Sequence, residues 1–281
     1  MNETLMREEQ EIARKYLFND TWIYVFWGIG NFLVWLSLWP LAIMNILPLW
    51  VILFIAIINC CLAYLPSHEA QHGNIIKRNS RFFWVNELVG YISVLPLLTG
   101  YKLLRETHLL HHKYTNHPDK DPDIGTKSKS FLHSLWVCGV INRQPNAGYG
   151  LQSDFYKENI SERALYEHFL FFWFHWVLLA VLAWSGFGLI AVAIWWMPRL
   201  VGTAYLQITL SFLPHRPMEE QGRYSDTRGW KAYTGTILTQ GMEYHIIHHL
   251  YPSIPLHKTP SAFRDMRHIL VKKECTLDGD I

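Results

Sequence analysis

The sequence predicts an all-α integral membrane fold: four transmembrane helices, a cytoplasmic histidine-rich cap and one interfacial helix. Three observations carry that prediction. Of 281 residues, 50% are apolar and 15% aromatic but only 17% charged, against roughly 25% charged in an ordinary soluble domain. Long apolar tracts are present that suit a bilayer better than a globular core. Of the 25 Lys and Arg, only Arg199 falls outside the amino-terminal tail, the central loop and the carboxy-terminal region.

The first tract, Thr21 to Pro40, runs without a charge, and about twenty such residues span roughly 30 Å of hydrocarbon as a helix. Trp22 and Trp39 near its ends suit the membrane interfaces. Ile46 to Leu65 is equally uncharged and follows after a connection too short for a domain, so spans at about 21–43 and 46–65 form a hairpin. Phe82 to Thr99 is apolar but carries Asn86, Glu87 and Pro96, which predicts an interfacial or re-entrant segment. Phe169 to Leu213 is long enough for two spans, about 169–187 and 190–213, broken near Ser185–Gly188 or at Pro198. The positive-inside tendency then places 66–168 and 214–281 in the cytoplasm, with both termini there after an even number of spans. The polar start MNETLMREEQEIARKY lacks a cleavage pattern and reads as an uncleaved anchor. No linker or repeat divides residues 1–281, so one domain is expected.

A formal net charge of +2 offers no field for nucleic acid. The aromatic content excludes intrinsic disorder, and four cysteines without CxxC spacing exclude a disulfide scaffold. Fifteen histidines are the anomaly.

Eight of them form three clusters: His68 and His72 in HEAQH; His108, His111 and His112 in HLLHH; His245, His248 and His249 in HIIHH. Residues i, i+3 and i+4 share a helix face, so each cluster is expected to aim its imidazoles one way. All three lie at cytoplasmic ends of the predicted spans. His215, in LPHRP at the end of span four, is a ninth candidate. So many neutral nitrogen donors exceed the four that one zinc ion takes, so two ions are expected. Imidazole suits zinc, copper, iron or nickel, and oxidation of lipid C–H bonds favours iron. Acceptors that orient the rings are sought among Asp121, Asp123, Asp226 and Glu243, with Asp119 and Glu106 also near. His68-Glu69-x-x-His72 also matches the HExxH zinc protease motif, but a protease leaves the other six box histidines without a role. A metal carrier is a further alternative. His117, His133, His168, His175, His257 and His268 fall outside the pattern.

The boxes and their order resemble the membrane fatty acid desaturase and hydroxylase superfamily. Within it, HLLHHKYTNHPDKDPD (His108–Asp123), LPHRP (Leu213–Pro217) and EYHIIHHLYPSIP (Glu243–Pro255) look closest to β-carotene ring hydroxylases of the desaturase-like type, and ring ketolases share a similar LPHR element. The resemblance implies iron ligands at His68, His72, His108, His111, His112, His245, His248 and His249, with His215 as the ninth. It departs at Glu69, where those hydroxylases generally carry Asp, and at Glu243, where an amide is more usual. The implied activity is O2-dependent oxidation of an unactivated C–H bond by two iron ions, most simply hydroxylation of a carotenoid ring. Fatty acyl desaturation or hydroxylation and carotenoid ketolation are the alternatives. Lacking a haem, dinucleotide or iron–sulfur motif, these 281 residues are expected to take electrons from a separate carrier such as a ferredoxin with its reductase, docking near Lys102, Arg105, Lys113 and Arg223, cations that could equally bind anionic lipid headgroups. The lipid substrate is expected to enter from the bilayer.

Overall fold

The computed structural model describes residues 2–17, 21–140, 154–232 and 236–278; residues 141–153 of the expected cap lie outside them. Four helices are long and apolar enough to cross a membrane: α2 (Trp22–Ile43), α3 (Leu49–His72), α7 (Glu162–Trp184) and α8 (Gly188–His215). An amphipathic α1 (Asn2–Tyr16) precedes them. Between α3 and α7 lie α4 (Phe83–Val94), α5 (Tyr101–Tyr114) and α6 (Phe131–Gly139), and after α8 come α9 (His245–Leu250) and α10 (Thr259–Lys272). The expected all-α architecture is modified among the described residues by one parallel strand pair, Gly229–Trp230 with Leu277–Asp278.

Several expected boundaries move, each for a local reason. α3 does not stop at Leu65 but carries on through the first histidine box, with one looser turn at Leu62–Ala63. Its end is Gly73, whose φ of +72° gives the left-handed C-terminal cap. α7 begins at Glu162, not near 169, because the Ser161 hydroxyl accepts the Ala164 N–H as N-cap. The Ser161 N–H and hydroxyl are themselves held by the Glu106 carboxylate, each at 2.7 Å, so Glu106 is a capping residue and orients no imidazole. The break between α7 and α8 falls at residues 185–187, and Pro198 does not interrupt α8. Two π-helical stretches, Val192–Trp196 and Gln207–Phe212, each end two residues before a proline, Pro198 and Pro214. A wider turn there accommodates the missing N–H and the crowding at the carbonyl four residues back.

α4 is too short to cross by itself. A 3-10 turn over Leu95–Leu97 and Leu98 at φ +60° bend the chain by 98° into α5, the form of a broken span or of the expected re-entrant segment. Its polar residues are turned inward: Asn86 donates to the Ala70 carbonyl at 3.0 Å, and the Ser67 hydroxyl donates to the Gly90 carbonyl at 3.0 Å. These bonds lash α4 to the box-bearing end of α3.

The spans show lipid-like exteriors. On α7 only Ala164 and His175 are buried, while Phe169, Trp173, Phe174, Val177 and Trp184 are exposed; a surface this apolar is stable when hydrocarbon covers it. Helix association then rests on close packing and interhelical hydrogen bonds. Asn59 of α3 donates to the Asn31 side-chain and main-chain oxygens at 2.8 and 2.6 Å, and Asn31 returns a bond to the Asn59 carbonyl. Gly202 of α8 lies so close to α3 that a Cβ there would stand 2.7 Å from Cys60 Cβ and 3.1 Å from its carbonyl carbon. We expect Gly202→Val to destabilise the purified protein by about 1–3 kcal/mol through overpacking, read as a lower thermal midpoint in detergent; an unchanged midpoint would refute this close approach.

Outside the spans, α1 docks on α10, burying Ile12 and Ala13 among Ile246, Phe263, Met266 and Leu270. Glu9 of α1, fully buried, accepts hydrogen bonds from Tyr224, Tyr251 and Arg223. The tail thereby braces the segment carrying the third box.

Candidate metal centre

Four elements meet at one end of the spans: the last turns of α3, the second half of α5, the end of α8 and α9. The nine sequence-predicted histidines converge there, but not box by box. His68, His72, His108 and His248 form one group; His111, His215, His245 and His249 form a second. Within each, the nitrogen donors lie within 4.8 Å of one another, little more than the roughly 4.2 Å diameter of an imidazole shell at about 2.1 Å around one ion. His112 stands at the seam, its Nε2 3.1 Å from His108 Nε2 and its ring centroid 4.4 Å from His249 and 4.7 Å from His248.

The expectation that each box aims its rings one way is corrected by helix geometry. At 100° per residue, position i+3 falls about 60° to one side of i and i+4 about 40° to the other. His111 and His112 thus fall on opposite sides of His108; in the fold His108 joins the first group, His111 the second, and His112 packs against members of both. In α9, His245 and His249 share a side while His248 points to the first group.

Hydrogen bonding cannot satisfy this cluster. Nε2 atoms face one another at 2.8 Å (His72 and His108), 3.2 Å (His111 and His215) and 3.0 Å (His245 and His249), and His248, fully buried, has no hydrogen-bond partner on either nitrogen. Buried polar atoms are seldom left so. Burial holds His245, His248 and His249 well below the usual imidazole range, so they are neutral donors. A pair of metal ions fits these residues.

Asp121 is the acceptor that best orients a ring. Its Oδ1 is 2.8 Å from His111 Nδ1 and receives the Asp123 N–H, while its Oδ2 receives the Asn116 N–H. Burial alone would raise this carboxyl, but the His111 contact outweighs it and holds Asp121 below the usual carboxylate range. Asp226 acts mainly through its main chain: its carbonyl is 3.1 Å from His215 Nδ1, and its carboxylate is 3.9 Å from His249 Nδ1. Burial pushes the Asp226 carboxyl up to about 6. Asp123 lines the space beside His68, His108 and His111. Glu243 is placed against the Thr239 hydroxyl, not an imidazole, because the 3-10 turn Met242–Tyr244 points it away from α9. Asp119 is a turn residue whose N–H meets His117.

Glu69, read from sequence only as a departure or a protease base, is fully buried behind His68, with Oε1 3.5 Å from His68 Nδ1. Its other oxygen accepts the Leu256 N–H at 3.3 Å. It thus ties the first box to the segment after the third. Facing the fold interior, it has no place as the general base of a zinc protease. Of the six histidines outside the boxes none joins either group: His175 meets the Phe171 carbonyl, His268 pairs with Glu8 and His257 packs on Tyr24. At the expected docking patch Lys102 pairs with Glu167, Arg105 with Glu87 and Arg223 with Glu9.

Several spaces border the cluster, among them one of about 210 Å³ lined by His111, His215 and Asp121 and one that touches His72. A small cavity touches Tyr64, His68, His108, His111, Asp123 and Leu210. A larger one of about 400 Å³ shares Tyr64, Asp123 and Leu210 with it and extends along α8 past Gln207 and Thr203 to Arg199.

Nine imidazoles at the end of four membrane-length helices define a membrane protein able to hold metal. Comparison with known proteins gives the family: residues 44–278 match the fatty acid desaturase family, and the chain belongs to it. It is 22% identical over 255 residues to an sn-1 oleoyl-lipid 12-desaturase of Picosynechococcus sp., covering 79% of this chain and 69% of that one. It is 23% identical over 258 residues to fatty acid conjugase FAC2 B of Calendula officinalis, covering 74% and 64%. A zeaxanthin 4-ketolase of Chlamydomonas reinhardtii is 34% identical over 62 residues, covering 22% and 13%. The chain thus spans about two thirds of the length of the first and second of these relatives. The protein is an oxidoreductase of a diiron-dependent family whose members oxidise lipids, using electron donors.

Proposed function

We propose that this protein performs O2-dependent oxidation of an unactivated C–H bond in a long apolar lipid, most specifically hydroxylation of a carotenoid ring. The observation that carries the ring reading is the position of His215: the LPHRP element, which resembles that of the carotenoid enzymes, contributes its histidine to the second group. Fatty acyl desaturation is the second reading, favoured by the similarity along most of the chain to a 12-desaturase and a conjugase.

His68, His72, His108 and His248 would hold one iron, His111, His215, His245 and His249 the other, with His112 between. When bound, the iron pair supplies reductive activation of O2 and removal of hydrogen from carbon. The chain's own residues do the rest. Asp121 and the Asp226 carbonyl fix ring orientation on the second group. Tyr64, Leu210 and Met242 wall the small cavity beside His68, His108 and His245, where a C–H bond is held away from bulk water. The larger cavity receives the remainder of the lipid. Electrons arrive from an external carrier such as a ferredoxin with its reductase, at a cytoplasmic face on which both termini also lie.

Expression in a β-carotene-accumulating host with a ferredoxin system under labelled oxygen tests this reading. Carotenoids carrying one labelled hydroxyl oxygen are expected by lipid mass spectrometry. Unchanged carotenoids with newly unsaturated acyl chains would replace the ring reading by the acyl one, and an unaltered lipid profile would overturn both.

A further inference from the structure

Arg199 is the one cation that the charge pattern leaves within a span, eleven residues into the 28-residue α8. At bilayer depth such a side chain costs about 2.5–3.5 kcal/mol on insertion scales and ordinarily faces a partner or a polar cavity. Among the described residues Arg199 donates no hydrogen bond and meets no carboxylate within ion-pair distance. Its buried Nε is without a partner, the Trp196 ring lies 4.8 Å from Cζ, and the Cys60 thiol and the His175 ring are near enough to feel its charge.

What it does face is the larger cavity, and it does so in company. Arg199, Thr203, Gln207 and Ser211 all line that space, and the same four-residue step leads on to His215. In an unbroken α-helix every fourth residue drifts by about 40°. The π stretch Gln207–Phe212, with its wider turns, counters the drift, so a polar stripe runs along one side of α8 from Arg199 to the metal-binding group. Leu206 and Leu210 flank the stripe on α8; from other elements come the apolar Leu97, Leu98, Leu104 and Phe172, with Tyr64, Thr99, Asp123, Thr126 and His168 as polar members of the wall. Arg199 Cα lies about 16 Å along the helix from Leu210, where the cavity joins the histidine-lined space.

Accepting that this cavity holds the lipid, as proposed above, we infer that Arg199 forms a polar subsite at its remote end. Among the lipids that fit this cavity, the subsite favours those bearing a hydrogen-bond-accepting oxygen, a carboxylate or a hydroxyl, far from the carbon that is oxidised: an acyl chain or an already hydroxylated carotenoid over a plain hydrocarbon. The guanidinium fork supplies donors that nothing in the protein uses, in an environment where an unmatched hydrocarbon end would leave them unsatisfied. The surrounding apolar wall fits the chain between the two ends.

The test is equilibrium binding to the purified full-length protein in phosphatidylcholine nanodiscs, with (Z)-octadec-9-ene, oleyl alcohol and oleate as probes. The alcohol and oleate are expected to bind about tenfold or more tightly than the hydrocarbon, a step of about 1.4 kcal/mol. In Arg199→Met all three should bind like the hydrocarbon, whose own affinity stays within about twofold. Preference for oleate over the alcohol identifies a carboxylate, and equal binding a neutral oxygen. Should Arg199→Met not fold, Arg199→Lys keeps the charge without the fork and is expected to narrow the preference. No preference in the parent protein, or the same preference in a folded variant, would overturn the subsite. Binding and oxidation separate the two readings: lipid oxidation without oxygen selectivity removes only the subsite, and selectivity without any lipid oxidation removes only the proposed reaction.

Discussion

Replacement of His248 by alanine is expected to abolish lipid oxidation and to lower bound iron from two ions per chain to about one. His248 is fully buried and lies at the heart of the first group, its ring centroid 4.6 Å from His68 and 4.8 Å from His72. No other histidine of α9 can take its place, because that helix is only six residues long and its other two histidines face the second group. Alanine there also leaves a small polar-lined void, not a buried charge, so the fold should survive. The comparison variant is His133→Ala: His133 meets the Lys129 N–H at the start of α6, remote from either group. Metal analysis of the purified proteins, beside product measurement by mass spectrometry, checks the outcome. Full iron and activity in His248→Ala would sink the diiron assignment, and equal loss in His133→Ala would mean that the effect is one of folding.

The second large effect is expected at Asp121. Its carboxylate reaches the far nitrogen of His111 while also receiving two main-chain N–H groups, from Asn116 and Asp123. Loss of an acceptor behind a ligating histidine commonly lowers metal affinity or activity by about 10–100-fold. Asp121→Asn keeps the size and one acceptor oxygen, so most of the loop geometry persists while the charge facing His111 is gone. We expect turnover to fall within that range, and iron to be lost more readily to a chelator from the second group than from the first. Glu243→Gln serves as the contrast, since Glu243 contacts Thr239 and no imidazole. Wild-type iron retention and turnover in Asp121→Asn would remove Asp121 from the centre.

The four spans were legible because their cause is local. A bilayer rewards an uninterrupted apolar helix whatever its neighbours do, and Thr21 to Pro40 or Ile46 to Leu65 carries that property residue by residue. Helix ends were read less well where polar sequence continues a helix. The chain from Pro66 to His72 looks like loop by polarity, yet no breaker intervenes before Gly73, so α3 delivers His68 and His72 on the same rod that crosses the membrane. The Ser161 N-cap was a readable signal for the start of α7.

The histidine boxes too were legible, since i, i+3 and i+4 spacing gathers imidazoles on a helix by backbone geometry alone. Only the tertiary structure divided them. Small angular offsets within each box send His108 and His248 toward α3, and His111, His245 and His249 toward the end of α8, where His215 waits. That partition depends on how three helices are rotated against one another, and long-range packing sets such rotations. The same holds for charge. The sequence shows Lys102, Arg105 and Arg223 as a basic cluster, but their partners Glu167, Glu87 and Glu9 lie 65, 18 and 214 residues away. Glu69 and Arg199 complete the contrast: one next to a ligand and one inside a span, they acquire meaning only when folding sets the first behind His68 and the second at the end of a cavity. By itself the sequence determined the membrane-spanning helices, the donor residues and the family they resemble. The tertiary structure decided which donors share an ion, which charges remain free and where a substrate fits, because those depend on distances between segments that no local pattern encodes.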